Sequence, residues 1–246
     1  MRLIDRAAQT NRWRHMPTAE KLAVSLCGLA VAALSPSPGV KGAVFLLMGG
    51  LVMAGARVRP ADYLRALAVP AGFIATGVAA QAVTLSLSGG PVLALAGPEA
   101  MARALSFAAT GFASVSALLF LALTTPLTRL VEWLEDRGLN PHLADVALVM
   151  FRMIWLTLDC LESGERALKG RLGHRSFRGI LTSHGLLLAA LLPRVLARAR
   201  RLETGLAARG YQGRLVFLSG EAPARSARVW LTLAAFAGLF LAGHLA

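Results

Sequence analysis

The chain has 246 residues, 56% of them hydrophobic and only 16% charged, with a mean hydropathy of +0.59. Soluble domains carry about 25% charged residues, so this composition, with its long uncharged runs, excludes an ordinary soluble domain and points to an integral membrane protein. The formal net charge of +13 arises from 26 Lys and Arg against 13 Asp and Glu. These basic residues flank apolar runs, where membrane topology explains them better than nucleic-acid binding does.

Residues 1–21 read as a polar leader carrying Arg2, Arg6, Arg12, Arg14 and Lys21. The first apolar run follows without a small-residue cleavage site, so no cleaved signal peptide is expected. Four membrane spans are expected within residues 22–123, at about 22–34, 40–56, 66–87 and 100–123. The break between the first two is Ser35-Pro-Ser-Pro-Gly39, where proline lacks a donor and glycine is flexible. Both are short for a bilayer core about 30 Å thick, and Lys21 and Arg57 are placed to snorkel at their ends. Ser88-Gly-Gly-Pro91 closes the third, and a fifth span is expected within residues 229–246. The fold class is therefore all-α and polytopic, with about five transmembrane helices and a helical block, residues 124–228, between the fourth and fifth.

Sixteen of the 26 Lys and Arg residues fall in that block. Basic content alternates from one connection to the next: high in the leader, only Lys41 after the first span, then Arg57, Arg59 and Arg65, none in residues 88–99, and high again in the block. The positive-inside rule then sets the N-terminus and the block in the cytoplasm and the C-terminus outside. Gly72-Phe-Ile-Ala-Thr76 and the other glycines of the spans fit close helix packing or the docking of a second membrane protein. Cys27 and Cys160 suggest no disulfide framework.

Inside the block, Leu127, Leu130, Val131 and Leu134 recur at helical spacing, so an amphipathic surface helix is expected to end at Gly138. Asn140-Pro141 opens a second helix that reaches about Lys169. A linker with Gly173, Gly179 and Gly185 is expected next, then an apolar stretch meeting Pro193, and after it an amphipathic helix stopped by Gly210. Two helix ends thus set an arginine among small residues: Gly170-Arg171-Leu172-Gly173 and Ala208-Arg209-Gly210. The planar arginine fork suits carboxylates and carbonyls of a partner. It equally suits the helix C-terminal dipole or anionic lipid.

On these residues the chain resembles the T components of energy-coupling-factor (ECF) transporters, which carry two short Ala-Arg-Gly-type motifs on coupling helices. Ala208-Arg209-Gly210 matches that motif, and Gly170-Arg171-Leu172 departs from it at its third residue. The leader, from Ile4-Asp5-Arg6-Ala7-Ala8-Gln9 through Trp13-Arg14-His15 and Pro17 to Glu20-Lys21-Leu22, resembles the cobalt-transporter Q (CbiQ) branch. The resemblance implies a non-catalytic subunit of an ATP-driven cobalt importer in a bacterial inner membrane, associated with cobalamin biosynthesis. Its implied partners are two cytoplasmic ATPase subunits, which hold the ATP, a membrane-embedded metal-capture subunit and a small accessory membrane subunit. Gly170, Arg171, Leu172, Ala208, Arg209 and Gly210 would be the ATPase contacts, and Co2+ the transported substrate. The same resemblance leaves a nickel or vitamin importer as an alternative.

Two other classes compete. For an intramembrane enzyme the sequence offers no P-loop, no His-Glu-x-x-His and no Gly-x-Ser-x-Gly, and its polar candidates Asp159, His174 and His184 lack catalytic spacing. An autonomous metal channel would need clustered ligands, whereas His15, His142, His174, His184 and His244 are scattered. Met150 and Met153 share a helix face that suits either a soft metal or ordinary packing.

Overall fold

The computed structural model describes residues 2–86, 92–95, 97–170, 177–211, 230, 232, 234–238 and 240–241. The chain divides into two compact units, Met1–Leu130 with Ser219–Ala246, and Val131–Leu218. The architecture is all-α and polytopic, as expected, with one short β-ladder.

In the first unit the elements are α1 (Arg2–Thr10), α2 (Thr18–Leu34), α3 (Pro38–Gly50) prolonged by a π-helical turn (Leu51–Gly55), α4 (Pro60–Ala82), β1 (Val83–Ser86), β2 (Val92–Leu95) and α5 (Pro98–Thr124). Proline opens α3, α4 and α5, where its missing N–H is not needed and its fixed φ suits the first turn. The central helix is α5, which touches α1, α2, α3 and α4. Val24, Val31, Val44, Met48, Val52, Phe120 and Leu123 form the core. Phe236 is buried among them, so the segment expected as the fifth span contributes to this unit, although much of it lies outside the described residues.

Small residues set the helix spacing here. A methyl group at Gly77 of α4 would meet Phe107 of α5 at 2.7 Å, and one at Gly111 of α5 would meet Ile74 of α4 at 3.1 Å. Each helix thus receives a side chain of the other. Hydrogen bonds add to the packing: Ser25 Oγ donates to the Ala117 carbonyl at 2.8 Å, and the Tyr63 and Ser116 hydroxyls pair at 2.9 Å. Gly72 has open space beside it, so the Gly72–Thr76 pattern is not used in this packing.

Four expectations are corrected in this unit. The leader is not merely a polar lead-in: α1 is an amphipathic helix with Ala7 and Ala8 buried and Arg6 and Gln9 exposed. The third span stops at Ala82 rather than residue 87, because Val83–Ser86 pairs antiparallel with Val92–Leu95, from Val83↔Leu95 to Ser86↔Val92. Val83 and Thr84 are β-branched and suit a strand. Lys41 is not in a loop: with Pro38 opening α3, it lies in the first turns, buried, and donates to Ser106 Oγ at 3.2 Å. Lys21 does not snorkel to the surface; it is 1% exposed.

The division between the units falls within α6 (Leu127–Glu135), and the second unit continues with α7 (Pro141–Gly170) and α8 (Phe177–Ala207). The Asn140 side chain accepts the His142 N–H at 3.0 Å, which fixes the start of α7 where the sequence places it. Gly179 and Gly185, expected in a linker, lie inside α8, and Pro193 lies within that helix rather than at the start of a new one. Leu187 and Leu191, between Gly185 and Pro193, are buried, and such packing outweighs the local cost of glycine and proline. A methyl at Gly164 of α7 would overlap Leu187 of α8, so the two helices approach closely at that point.

Among the described residues, four helices are long and apolar enough to cross a membrane: Pro38–Gly55, Pro60–Gln81, Pro98–Thr124 and Gly179–Ala207. With 17 residues, α2 reaches only about 25 Å. The fourth candidate is α8, within the block expected in the cytoplasm.

Candidate functional site

The sequence motif Ala208-Arg209-Gly210 forms the end of α8. The Tyr211 N–H donates to the Leu206 carbonyl and the Gly210 N–H to the Ala207 carbonyl, both at 3.1 Å. Gly210 has φ +76°. This is a Schellman cap, in which a left-handed glycine folds the chain back onto the last carbonyls. Arg209 occupies the last position before that glycine, and Ala208, Arg209 and Gly210 are all exposed. The cap fixes the backbone of Arg209 while its fork stays free to meet a partner.

The same cap closes α6. Leu139 N–H donates to the Leu134 carbonyl and Gly138 N–H to the Glu135 carbonyl, both at 3.0 Å, and Gly138 has φ +103°. An arginine again precedes the glycine. Here Arg137 lies over the Trp133 ring, 3.9 Å from its centroid, and so has a partner within its own helix.

The other predicted motif falls at the end of α7. Gly170 is its last residue, while Arg171 and Leu172 lie outside the described residues. The two motif ends are not brought together. From the Gly164–Leu187 contact, Gly170 is about 9 Å along α7 and Ala207 about 30 Å along α8, which leaves on the order of 20 Å or more between them. Apolar side chains line the outside of this pair. Leu143, Val146, Met150 and Ile154 make an exposed stripe on α7, and Leu181, Leu188, Leu192 and Leu196 one on α8.

Sequence reasoning missed a buried polar clamp at the end of α5. The last carbonyls of a helix have no partner within it and carry its negative dipole end. Lys21 Nζ donates to the Thr124 carbonyl at 2.9 Å. Asn11 Nδ2 approaches the Leu123 and Thr124 carbonyls at 3.2 and 3.3 Å while also bonding the Ala8 carbonyl at 2.7 Å. Trp13 stacks edge-on against Phe120, with ring centroids 6.1 Å apart, and lies against Gly55. The leader is therefore fastened to the helix end from which the chain runs into α6. The signal in the sequence was the pairing of a polar leader with Thr124-Thr125-Pro126, but no local pattern tells which carbonyl a distant lysine will find.

His15, His142, His184, Cys27 and Cys160 do not gather with other ligating side chains: among the described residues no three His, Cys, Asp or Glu come together as a metal site.

The family model of the cobalt transport protein CbiQ matches residues 10–217. The chain belongs to the CbiQ family. Its likeness to the Cobalt transport protein CbiQ of Rhodobacter capsulatus is 38% identity over 98% of both chains. To the Cobalt transport protein CbiQ of Salmonella typhimurium it is 26%, over 85% of this chain and 97% of the relative. A putative fused cobalt transport protein CbiMQ of Methanocorpusculum labreanum is 25% identical over 98% of this chain and 42% of its own length. Family membership makes this chain a membrane component of a cobalt transporter. The matched region takes in the leader clamp from Thr10 onward and both motif-bearing helix ends.

Proposed function

We propose that this chain is the energy-coupling transmembrane subunit of an ECF-type importer for cobalt ions. It links two cytoplasmic ATPase subunits to a membrane-embedded metal-capture subunit and transmits ATP-driven motion without itself catalysing a reaction. The observation that carries this reading is the capped end of α8, where Arg209 stands exposed on a fixed backbone beside Ala208 and Gly210. A guanidinium held this way fits a carboxylate- or carbonyl-lined groove. The wide separation of Gly170 from Arg209 supports two docking points rather than one. Coupling requires an element whose equilibrium both sites bias, and in this reading the two packed helices of 30 and 31 residues serve as its levers. A second component is supported by the fused CbiMQ relative, of which this chain spans only part.

In this reading residues 124–228 lie on the cytoplasmic side of a bacterial inner membrane and the C-terminus outside. The apolar half of α8, from Ile180 to Leu192, is about 20 Å long and is followed by Arg194, Arg198, Arg200 and Arg201. That is short of the ~30 Å hydrocarbon core, and the basic half favours the membrane surface. A C-terminal alkaline phosphatase fusion is expected to be active; an inactive one beside a fluorescent C-terminal green-protein fusion overturns the orientation.

The test of function is co-purification from detergent with an ATPase subunit and a candidate capture subunit. Wild type is expected to bring down the ATPase, and an Arg171→Ala/Arg209→Ala double variant to lose it while keeping the capture subunit. Absence of the ATPase from both defeats the coupling reading.

A further inference from the structure

At the leader end of the first unit a cavity of about 440 Å³ is lined by Arg6 and Thr10 of α1, by Asn11, by Arg57, Val58 and Arg59, and by Asp62 and Arg65 of α4. Four arginines face one aspartate, and Asp62 pairs with Arg65 at 4.0 Å. Among the described residues Arg6, Arg57 and Arg59 have no carboxylate at ion-pairing distance. Positive residues at this end of the spans satisfy topology wherever they point, but topology does not require them to converge on a hollow.

Arg57 is also held in a conformation that its side chain disfavours. Its φ is +55°, the left-handed region in which glycine is at ease. The neighbours impose it: the Ala56 carbonyl accepts the Arg12 N–H at 3.1 Å, and Val58, buried, donates its N–H to the Val52 carbonyl at 3.2 Å. A glycine would serve this turn better. An arginine kept there points to a use for the guanidinium.

Beyond the cavity-lining residues of α4 lies an apolar strip. On α4, Asp62 and Arg65 share a helix face with Val69, Gly72, Phe73 and Thr76. Val69 is 81% and Phe73 76% exposed, about 6 and 12 Å beyond Arg65 along the helix. A positively charged hollow with an exposed apolar stripe beyond it matches a phosphate headgroup joined to acyl chains. A free phosphate or a nucleotide has no use for the stripe.

We propose that this cavity is a seat for an anionic phospholipid, its phosphodiester held by Arg6, Arg57 and Arg59 and its acyl chains laid along Val69 and Phe73. Basic pockets between membrane helices on the cytoplasmic side are suited to such headgroups. This site is separate from the coupling ends and does not depend on the ATPase reading.

The test is native mass spectrometry of the full-length chain released from mixed micelles of phosphatidylglycerol and phosphatidylethanolamine. Wild type is expected to retain phosphatidylglycerol preferentially. Each of Arg57→Gly and Arg59→Gln is expected to weaken that retention about fivefold, the effect of one surface arginine on an anionic lipid. Arg57→Gly should keep or raise the thermal midpoint, which separates lost binding from lost folding. An Arg103→Gln variant, with an exposed charge removed from α5 outside the cavity, should retain the lipid. Phe73→Gln should weaken lipid retention. Equal retention of the two lipids by wild type, unchanged retention in Arg57→Gly, or complete displacement of the lipid by millimolar inorganic phosphate would each sink the proposal. So would Arg57→Gly releasing the capture subunit from the complex with lipid retention unchanged, since that marks a protein interface.

Discussion

The two units of this chain are stabilised in different ways. The first has a continuous buried core, from Val24 through Met48 and Phe120 to Phe236, and inside it Lys21 Nζ, Asn11 Nδ2 and Ser25 Oγ each donate to a carbonyl of α5. Among its described residues the second buries little: Val131, Ala144 and Leu148 form one small cluster, and Leu187 and Leu191 lie along α8. Around them α7 and α8 expose two long apolar stripes. A packed core holds one arrangement, because interiors are close-packed and resist deformation. A helix pair with few buried contacts takes its position from what covers it. Under the coupling role proposed above, the first unit would serve as the membrane body and the second as the element whose state its partners set.

The largest expected effect lies in the second unit and costs the protein itself little. Arg209→Glu is expected to weaken ATPase association by 2 kcal/mol or more, about thirtyfold, as reversal of a charge in a hydrogen-bonded interface does. Arg214→Glu makes the same change in net charge and is expected to keep most of the binding. Pull-down titration with the ATPase subunit measures both. Equal losses in the two variants would mean that net charge, and not the capped position, is being read.

The first unit should answer in stability instead. Lys21→Met removes the cation from the Thr124 carbonyl and is expected to cost about 2 kcal/mol, the range for a hydrogen bond to a charged group. Thermal unfolding in detergent measures it, and an unchanged midpoint would show that the clamp adds no stability. Tyr63→Phe removes the 2.9 Å bond to Ser116 and should cost less, about 1 kcal/mol, because the Ser116 hydroxyl still reaches the Phe45 carbonyl at 3.3 Å. A loss in Tyr63→Phe as large as that in Lys21→Met would contradict this ranking.

The same division governs how much could be read from the sequence. Helix α7 was legible nearly to the residue, expected from Pro141 to about Lys169 and found from Pro141 to Gly170, because its cap and stop are local chemistry. The Gly138 and Gly210 stops were legible for the same reason. Gly179, Gly185 and Pro193 misled because their propensities are local, whereas the burial of Leu187 against α7 is not. Lys21 stands where a lysine can snorkel at the end of a span, but its partner carbonyl lies 103 positions away, beyond any periodicity. Of the proposed coupling residues, the sequence supplied the positions, and the structure added the fixed backbone of Arg209 and the separation of the two ends.

The smallest expected effect tests that fixed backbone. In Gly210→Ala the cap must hold an alanine at φ +76°, which is expected to cost about 1 kcal/mol. A methyl there would meet no neighbour within 4 Å, so the cost is conformational and not steric packing. Because this helix end belongs to the sparsely packed unit, the penalty should appear as fraying of the last turn of α8, with faster amide exchange around Leu206 and Tyr211, while the global midpoint barely moves. ATPase binding should fall by a few-fold, since the Arg209 side chain survives and only its presentation loosens. Should binding fall as far as in Arg209→Glu, the glycine itself would be in the interface, and close backbone approach would replace the guanidinium as the main recognition element.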